Sequence, residues 1–234
     1  MTTLILLSGL LCDESIWQEV AGRLADRTEV RIIAFPNFDS INSMAQHVLD
    51  QAPATFVLAG HSMGGRVALE ALRQAPGRIQ GLGLFNTGIH ARRDHEPQSR
   101  GRLVQLARER GMAAVANEWL PPMMGASAAR CAELMPKLVQ MVERATPDSF
   151  AAQTQALLDR PDAAAVLPLI RVPTLLAAGT SDTWSPLSQH AEMHQRIQGA
   201  TLVPIADAGH MAPVEQPHAL AAAINTWWEH HDIH

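Results

Sequence analysis

The chain has 234 residues, 47% hydrophobic and 18% charged, with a formal net charge of −5. That length suits one sizeable core and is short for two complete domains. Eighteen dispersed basic residues against 23 acidic ones argue against nucleic-acid binding. Cys12 and Cys131 are too few for a disulfide framework, and no apolar run approaches a membrane span. Met1-Thr2-Thr3 before Leu4-Ile5-Leu6-Leu7 lacks the basic segment of an export signal. The expectation is a cytoplasmic protein with neither a membrane nor a nucleic-acid partner; its oligomeric state is open.

Six short apolar runs predict strands: Leu4–Ser8, Val30–Ala34, Phe56–Ala59, Leu82–Phe85, Thr174–Ala178 and Leu202–Ile205. Helical periodicity lies between most of them. Ile16, Trp17, Val20 and Leu24 share one face, as do Met44 and Val48, and then Val67, Ala68, Ala71 and Leu72. Continuous apolar strands alternating with helices imply an α/β fold, a parallel sheet covered on both faces. The alternation fails from Ile89 to Pro168. There the pattern is helical, broken by Pro121-Pro122, Gly125, Pro136, Pro147 and Pro161, with Thr146-Pro147 as a helix start. Residues 1–88 and 169–234 are therefore expected to form the core, and 89–168 an inserted helical lid. The tail from Glu229 to His234 is expected to fray.

Chemistry enters at Gly60-His61-Ser62-Met63-Gly64-Gly65, directly after the third run. Gly-x-Ser-x-Gly between strand and helix is a nucleophile elbow, a turn too tight for a Cβ two residues to either side of the serine. A serine hydroxyl needs a base, and that base needs an oriented carboxylate. Loops after the fifth and sixth runs offer Asp182, in Gly179-Thr180-Ser181-Asp182, and His210, in Asp207-Ala208-Gly209-His210. The order Ser, Asp, His is the one found in α/β-hydrolase triads.

On Gly60–Gly65, Gly179-x-x-Asp182-x-x-x-Pro186 and Gly209-His210 followed by Glu215-x-Pro217, the chain resembles the α/β-hydrolase superfamily almost end to end. The likeness is to its small lid-bearing esterase, lactonase and thioesterase-like branch. The resemblance implies Ser62 as nucleophile, His210 as general base and then acid, and Asp182 as the orienting carboxylate. It also implies an oxyanion hole from the backbone N–H groups of Met63 and Leu10. Relatives usually carry His-Gly where this chain has Ser8-Gly9, which puts the packing of that loop in question. They often have a glycine-rich turn where this chain has Phe35-Pro36-Asn37-Phe38-Asp39. Relatives also begin with two further strands, so a minimal six-stranded, mostly parallel sheet is expected.

A substrate pocket is expected from Leu11, Trp119, Met123, Met124, Trp184 and Met211, although the apolar residues of the insertion serve equally well to pack it down. Arg92, Arg93, Arg100 and Arg102 are either a greeting for an anionic substrate or a solvated helix face. His61 is expected to pack behind the elbow. Cys12 lacks a neighbouring base and reads as filler. His190 and His194, four apart, miss the zinc-protease pattern because Glu192 is misplaced, and are expected on solvated helix surface. No metal and no cofactor are expected. The function anticipated is cleavage of a small-molecule ester, thioester or lactone. The rivals are a lyase or acyltransferase using the same residues, and a non-catalytic ligand receptor. Epoxide hydrolases and haloalkane dehalogenases need aspartate at the elbow, where this chain has Ser62.

Overall fold

The structure, a computed structural model, describes residues 2–233. Six strands form one sheet: β1 (Thr3–Leu7), β2 (Glu29–Ile33), β3 (Phe56–His61), β4 (Ile79–Phe85), β5 (Thr174–Gly179) and β6 (Thr201–Ile205). All pairings are parallel, in the order β2-β1-β3-β4-β5-β6. Each expected run lies within a strand or is offset from one by a single residue. The central strands β1, β3 and β5 are buried at every position, which explains their unbroken apolar sequence. The edges differ. β2 exposes Glu29 and Arg31, and β6 carries Pro204, a residue an edge strand tolerates because one side of it needs no ladder hydrogen bond.

The helices are α1 (Gln18–Leu24), α2 (Ile41–Gln51), α3 (Met63–Gln74), α4 (Glu96–Arg110), α5 (Met112–Trp119), α6 (Ala128–Glu143), α7 (Pro147–Leu158), α8 (Leu187–Arg196), α9 (Ala212–Glu215) and α10 (Pro217–His230). The chain runs from β1 outward to β2, then back across β1 to β3 and onward to β6. Right-handed crossovers therefore place α1 on one face and α2, α3 and α8 on the other. α10 packs on α1. The reversal of direction falls at β1 and β3, and a crevice opens there at the strands' carboxyl ends.

Four helices, α4 to α7, occupy the stretch between β4 and β5 where no strand was expected. Thr146 Oγ1 accepts the Ser149 N–H at 3.1 Å, capping α7 ahead of Pro147 as its sequence suggested.

Two surface expectations need correction. His190 is fully buried: the Thr87 N–H donates to its Nε2 at 3.2 Å, and its Nδ1 faces the Pro186 carbonyl at 3.3 Å. Only His194 of that pair is exposed. The tail is also held. Ile233 packs near Gly81 and Trp227, and the Trp228 indole N–H donates to the Ile233 carbonyl at 2.7 Å. A buried apolar side chain and a satisfied indole anchor what composition alone reads as loose; His234 lies outside the described residues. Among the described residues no helix is long and apolar enough to cross a membrane.

Candidate active site

Ser62 sits at the end of β3 with φ 53° and ψ −115°, a backbone conformation that L residues rarely adopt. Close packing holds it there. A Cβ on Gly60 would come within 2.2 Å of the Gly64 carbonyl oxygen, and one on Gly64 within 2.4 Å of the Leu7 carbonyl oxygen. The first contact joins strand to helix, as the motif suggested; the second presses α3 against β1. Thr87 Oγ1 donates to the Ser62 carbonyl at 2.6 Å, bracing the turn from the loop after β4.

The sheet brings three separate loops to one point. His210 Nε2 lies 2.9 Å from Ser62 Oγ, and His210 Nδ1 lies 2.9 Å from Asp182 Oδ2. With the proton on Nδ1 donated to the carboxylate, Nε2 is free to accept from the serine hydroxyl. Asp182 is saturated. Its Oδ2 also accepts from Asn86 Nδ2 at 2.8 Å, and its Oδ1 accepts from the Trp184 and Ser185 N–H groups at 2.8 and 3.0 Å. Burial alone would raise its pKa, but the His210 contact and these hydrogen bonds hold it well below the usual carboxylate range. Asn86, a poor acid in its own right, thus serves the carboxylate, and it also donates to the Gly209 carbonyl at 3.0 Å.

His61 packs behind the elbow and donates from Nε2 to the His210 carbonyl at 2.7 Å, leaving Nδ1 buried without a partner among the described residues. Burial and then the neighbouring His210 push its pKa down to about 3, so the ring is neutral. Cys12 is buried, and burial with Asp13 beside it pushes its thiol up to about 12, leaving no thiolate for chemistry. Ser8, the departure in the loop after β1, is fully buried and donates through Oγ to the Asp13 carbonyl at 3.1 Å, closing that loop on itself.

Leu10 and Met63 flank Ser62 on the wall of a cavity of about 460 Å³, a size typical of small-molecule sites. Neither of their backbone N–H groups meets an acceptor among the described residues. The Met63 amide is the first of α3, where the helix dipole also favours an anion. Leu11 differs. It takes φ 56°, and its N–H donates to Gln153 Oε1 at 2.9 Å while Gln153 Nε2 donates to the Phe35 carbonyl at 2.7 Å.

Of the expected pocket residues, Trp119 and Trp184 line the cavity, their rings edge to face with centroids 6.4 Å apart. Leu11, Met123, Met124 and Met211 do not. The Leu11 turn and Met211 at the start of α9 send their side chains into the core, where both are buried. Met123 is buried too, and its contribution is its carbonyl, which accepts the His210 N–H at 2.7 Å. Met124 packs half-buried against the core.

Two buried side chains clamp the insertion to the site and went unassigned in sequence. Gln153 reaches from α7 to the loop after β1. Glu215 Oε1 accepts from the Gly125 and Ala126 N–H groups at 2.6 and 2.7 Å, and its Oε2 from Gly209 N–H at 2.8 Å. Glu215 was visible as part of a motif, but its partners Gly125 and Ala126 lie about ninety residues away. Among the described residues no three His, Cys, Asp or Glu side chains group as a metal site.

The sequence profile of the Alpha/beta hydrolase family matches residues 4–223. The chain belongs to that family. This alpha/beta hydrolase is 27% identical over 222 residues to a pimeloyl-[acyl-carrier protein] methyl ester esterase of Nitrosomonas europaea, with 88% of each chain covered. It superposes on an esterase from Thermogutta terrifontis, solved with malate bound, at a TM-score of 0.88 and 28% identity, covering 98% of this chain and 90% of that one. An enol-lactonase from Burkholderia xenovorans shares the fold at a TM-score of 0.87 and 22% identity, covering 97% and 91% of the two chains. The chain is an enzyme of the alpha/beta hydrolase family.

Proposed function

We propose that this enzyme cleaves a carboxylic ester, thioester or lactone through an acyl-enzyme on Ser62. The observation that carries this reading is the unbroken path from Ser62 Oγ through His210 to Asp182, with two unengaged amides beside its Ser62 end. As the hydroxyl attacks the carbonyl carbon, its proton moves to His210 Nε2 and the imidazolium that forms is stabilised by Asp182. Negative charge gathers on the carbonyl oxygen, and the Met63 and Leu10 N–H groups are placed to receive it. Collapse of the tetrahedral species returns the proton from Nε2 to the leaving alcohol, thiol or lactone oxygen. Water, deprotonated by the same nitrogen, then releases the acid. No step requires a cofactor.

The names borne by the relatives, esterases and an enol-lactonase, support carboxylic ester chemistry for the family position this chain holds. Helices α4, α5 and α7 contribute to the wall of the cavity through residues such as Leu103, Trp119 and Phe150, and we assign the insertion the role of a lid over a small-molecule acyl substrate.

The test is turnover of p-nitrophenyl acyl esters, thioesters and lactones by wild type and Ser62→Ala. Turnover by the wild type that disappears in the variant is expected. Absence of turnover from a wild type whose Ser62 is still labelled by a fluorophosphonate would point instead to a lyase or an acyltransferase. Absence of both would point to a ligand receptor.

A further inference from the structure

The wall of the cavity away from His210 is strongly cationic. Arg66, Arg100 and Arg160 all border it, with Glu96 as the carboxylate among them. The three guanidinium groups are in different states. Arg160 is spent: Nε donates to the His90 carbonyl at 3.0 Å, and Nη1 to Glu96 Oε2 at 2.8 Å and the Leu157 carbonyl at 2.6 Å. Its Nη2 donates to the Ala91 carbonyl at 3.0 Å and Glu96 Oε1 at 2.5 Å. All five of its donors hold the end of α7 to α4 and the loop after β4. Arg66 has one engagement among the described residues, Nη1 to the His90 carbonyl at 2.9 Å, and no ion pair. Arg100 has one as well, Nε to Glu96 Oε2 at 3.1 Å. Each therefore presents four unengaged N–H donors beside a cavity.

Position supports the same conclusion. Arg66 lies near the start of α3, four residues after Ser62, and both line the same cavity. Burial, and then Arg160, push the Arg66 pKa down to about 9, still above neutrality. The cation thus persists, favoured by Glu96 and Asp162 nearby but in a direct ion pair with neither among the described residues. Such a group is costly unless an anion completes it. A guanidinium fork matches a carboxylate in two parallel hydrogen bonds. Glu96 pairs with Arg100 and Arg160 and leaves Arg66 without an ion pair among the described residues, where a planar carboxylate would meet the guanidinium fork.

We propose that Arg66 and Arg100 form a carboxylate-binding subsite, so that the preferred substrate is an ester or lactone bearing a free carboxylate a short carbon chain from the scissile carbonyl. This rests on the ester-cleaving reading of Ser62. Leu103, Phe150 and Leu157 give the spacer an apolar surface. The remote carboxylate then fixes the carbonyl against Ser62, and binding energy from the non-reacting end orients the reacting one.

The experiment compares kcat/KM for monomethyl succinate, glutarate and adipate with methyl esters of the uncharged acids of equal length, in wild type, Arg66→Gln, Arg66→Lys and Arg100→Gln. Thermal melting establishes that each variant is folded. For at least one chain length the wild type is expected to favour the half-ester by about 10- to 100-fold. Arg66→Gln should bring that ratio to within about threefold of unity, mainly through KM, while Arg66→Lys keeps the charge, loses the fork and falls between. Arg100→Gln is expected to shift the ratio in the same direction, and it carries the test if Arg66→Gln does not fold. Esters turned over with no preference at any length, or folded variants with the wild-type ratio, would overturn the subsite and leave the esterase reading standing. Free glutarate should also raise the Tm of Ser62→Ala. That shift, lost in Ser62→Ala/Arg66→Gln, would support the subsite even if no ester were turned over. Inorganic phosphate raising the Tm as much as glutarate would overturn the assignment to a carboxylate.

Discussion

The two walls of the cavity are built in opposite ways. One wall, Ser62 with His210 and Asp182, stands on three loops at the ends of β3, β5 and β6, and each residue belongs to a short local pattern. The other comes from α3 and the α4–α7 insertion, and its charged groups are assembled across long gaps, such as the 64 residues between Glu96 and Arg160. A parallel sheet delivers its loops to one edge whatever fills them. An inserted helical layer has no such frame and takes its position from side-chain clamps. On the function proposed above, the reaction is carried by the frame, and the choice of substrate by the packing of the insertion.

Substitutions at the frame should have the largest effects. Ser62→Ala is expected to lower kcat by roughly 10⁴-fold or more with an unchanged melting curve, measured on p-nitrophenyl esters. Asp182→Asn keeps the geometry but no longer accepts from His210 Nδ1 as a carboxylate does, and should cost about 10³- to 10⁴-fold in kcat. A kcat within tenfold of wild type would mean that Asp182 does not orient the base.

The clamps join the two walls and should affect both stability and rate. Glu215→Ala leaves the amides of Gly125, Ala126 and Gly209 without their acceptor. It is expected to cost about 3 kcal/mol in chemical denaturation and about tenfold or more in kcat, because Gly209 precedes His210. Gln153→Ala strands the Leu11 N–H and the Phe35 carbonyl, and should cost about 2 kcal/mol with a smaller loss of kcat. Normal stability in Glu215→Ala would show that the Glu215 clamp does not hold the insertion.

A further expectation is a pH dependence of stability. Burial depresses the pKa of His61 to about 3 and of His190 to about 4. Below the ordinary histidine value of about 6.5 the unfolded chain binds protons that these rings refuse, so stability is complete above that pH and falls on acidification. Between pH 6.5 and about 4.5 each ring should contribute a slope of up to about 1.4 kcal/mol per pH unit. The depressed carboxylates Asp182 and Glu96 begin to lose their contributions as pH falls towards the ordinary carboxylate range, overlapping only the acid end of this window. His61→Gln should flatten the slope; an identical slope would place the titrating groups elsewhere.

The contrast between the walls also explains what could be read from sequence. The strands were legible because burial on both faces forces continuous apolar runs, and the elbow because its glycines answer a steric demand within six residues. Asp182 and His210 followed from their loops' positions after β5 and β6. His190 was misjudged because its partners, Thr87 and Pro186, satisfy a buried ring that helical spacing alone sets on the surface. Met123 was expected for its side chain and contributes its carbonyl. Arg66 was missed although the spacing from Ser62 to the second turn of α3 was in plain view, since nothing local tells an arginine facing a cavity from one facing water. Gln153 and Arg160 act through partners more than sixty residues away, and no local pattern carries such information.

The central claim is that Ser62 is the nucleophile and that no other residue is. Reaction with a fluorophosphonate followed by peptide mass spectrometry tests it most directly. A single adduct on the peptide containing Ser62, absent in Ser62→Ala and slowed in His210→Ala, is the result predicted. An unmodified Ser62, or an adduct that persists on another residue when Ser62 is alanine, would contradict it.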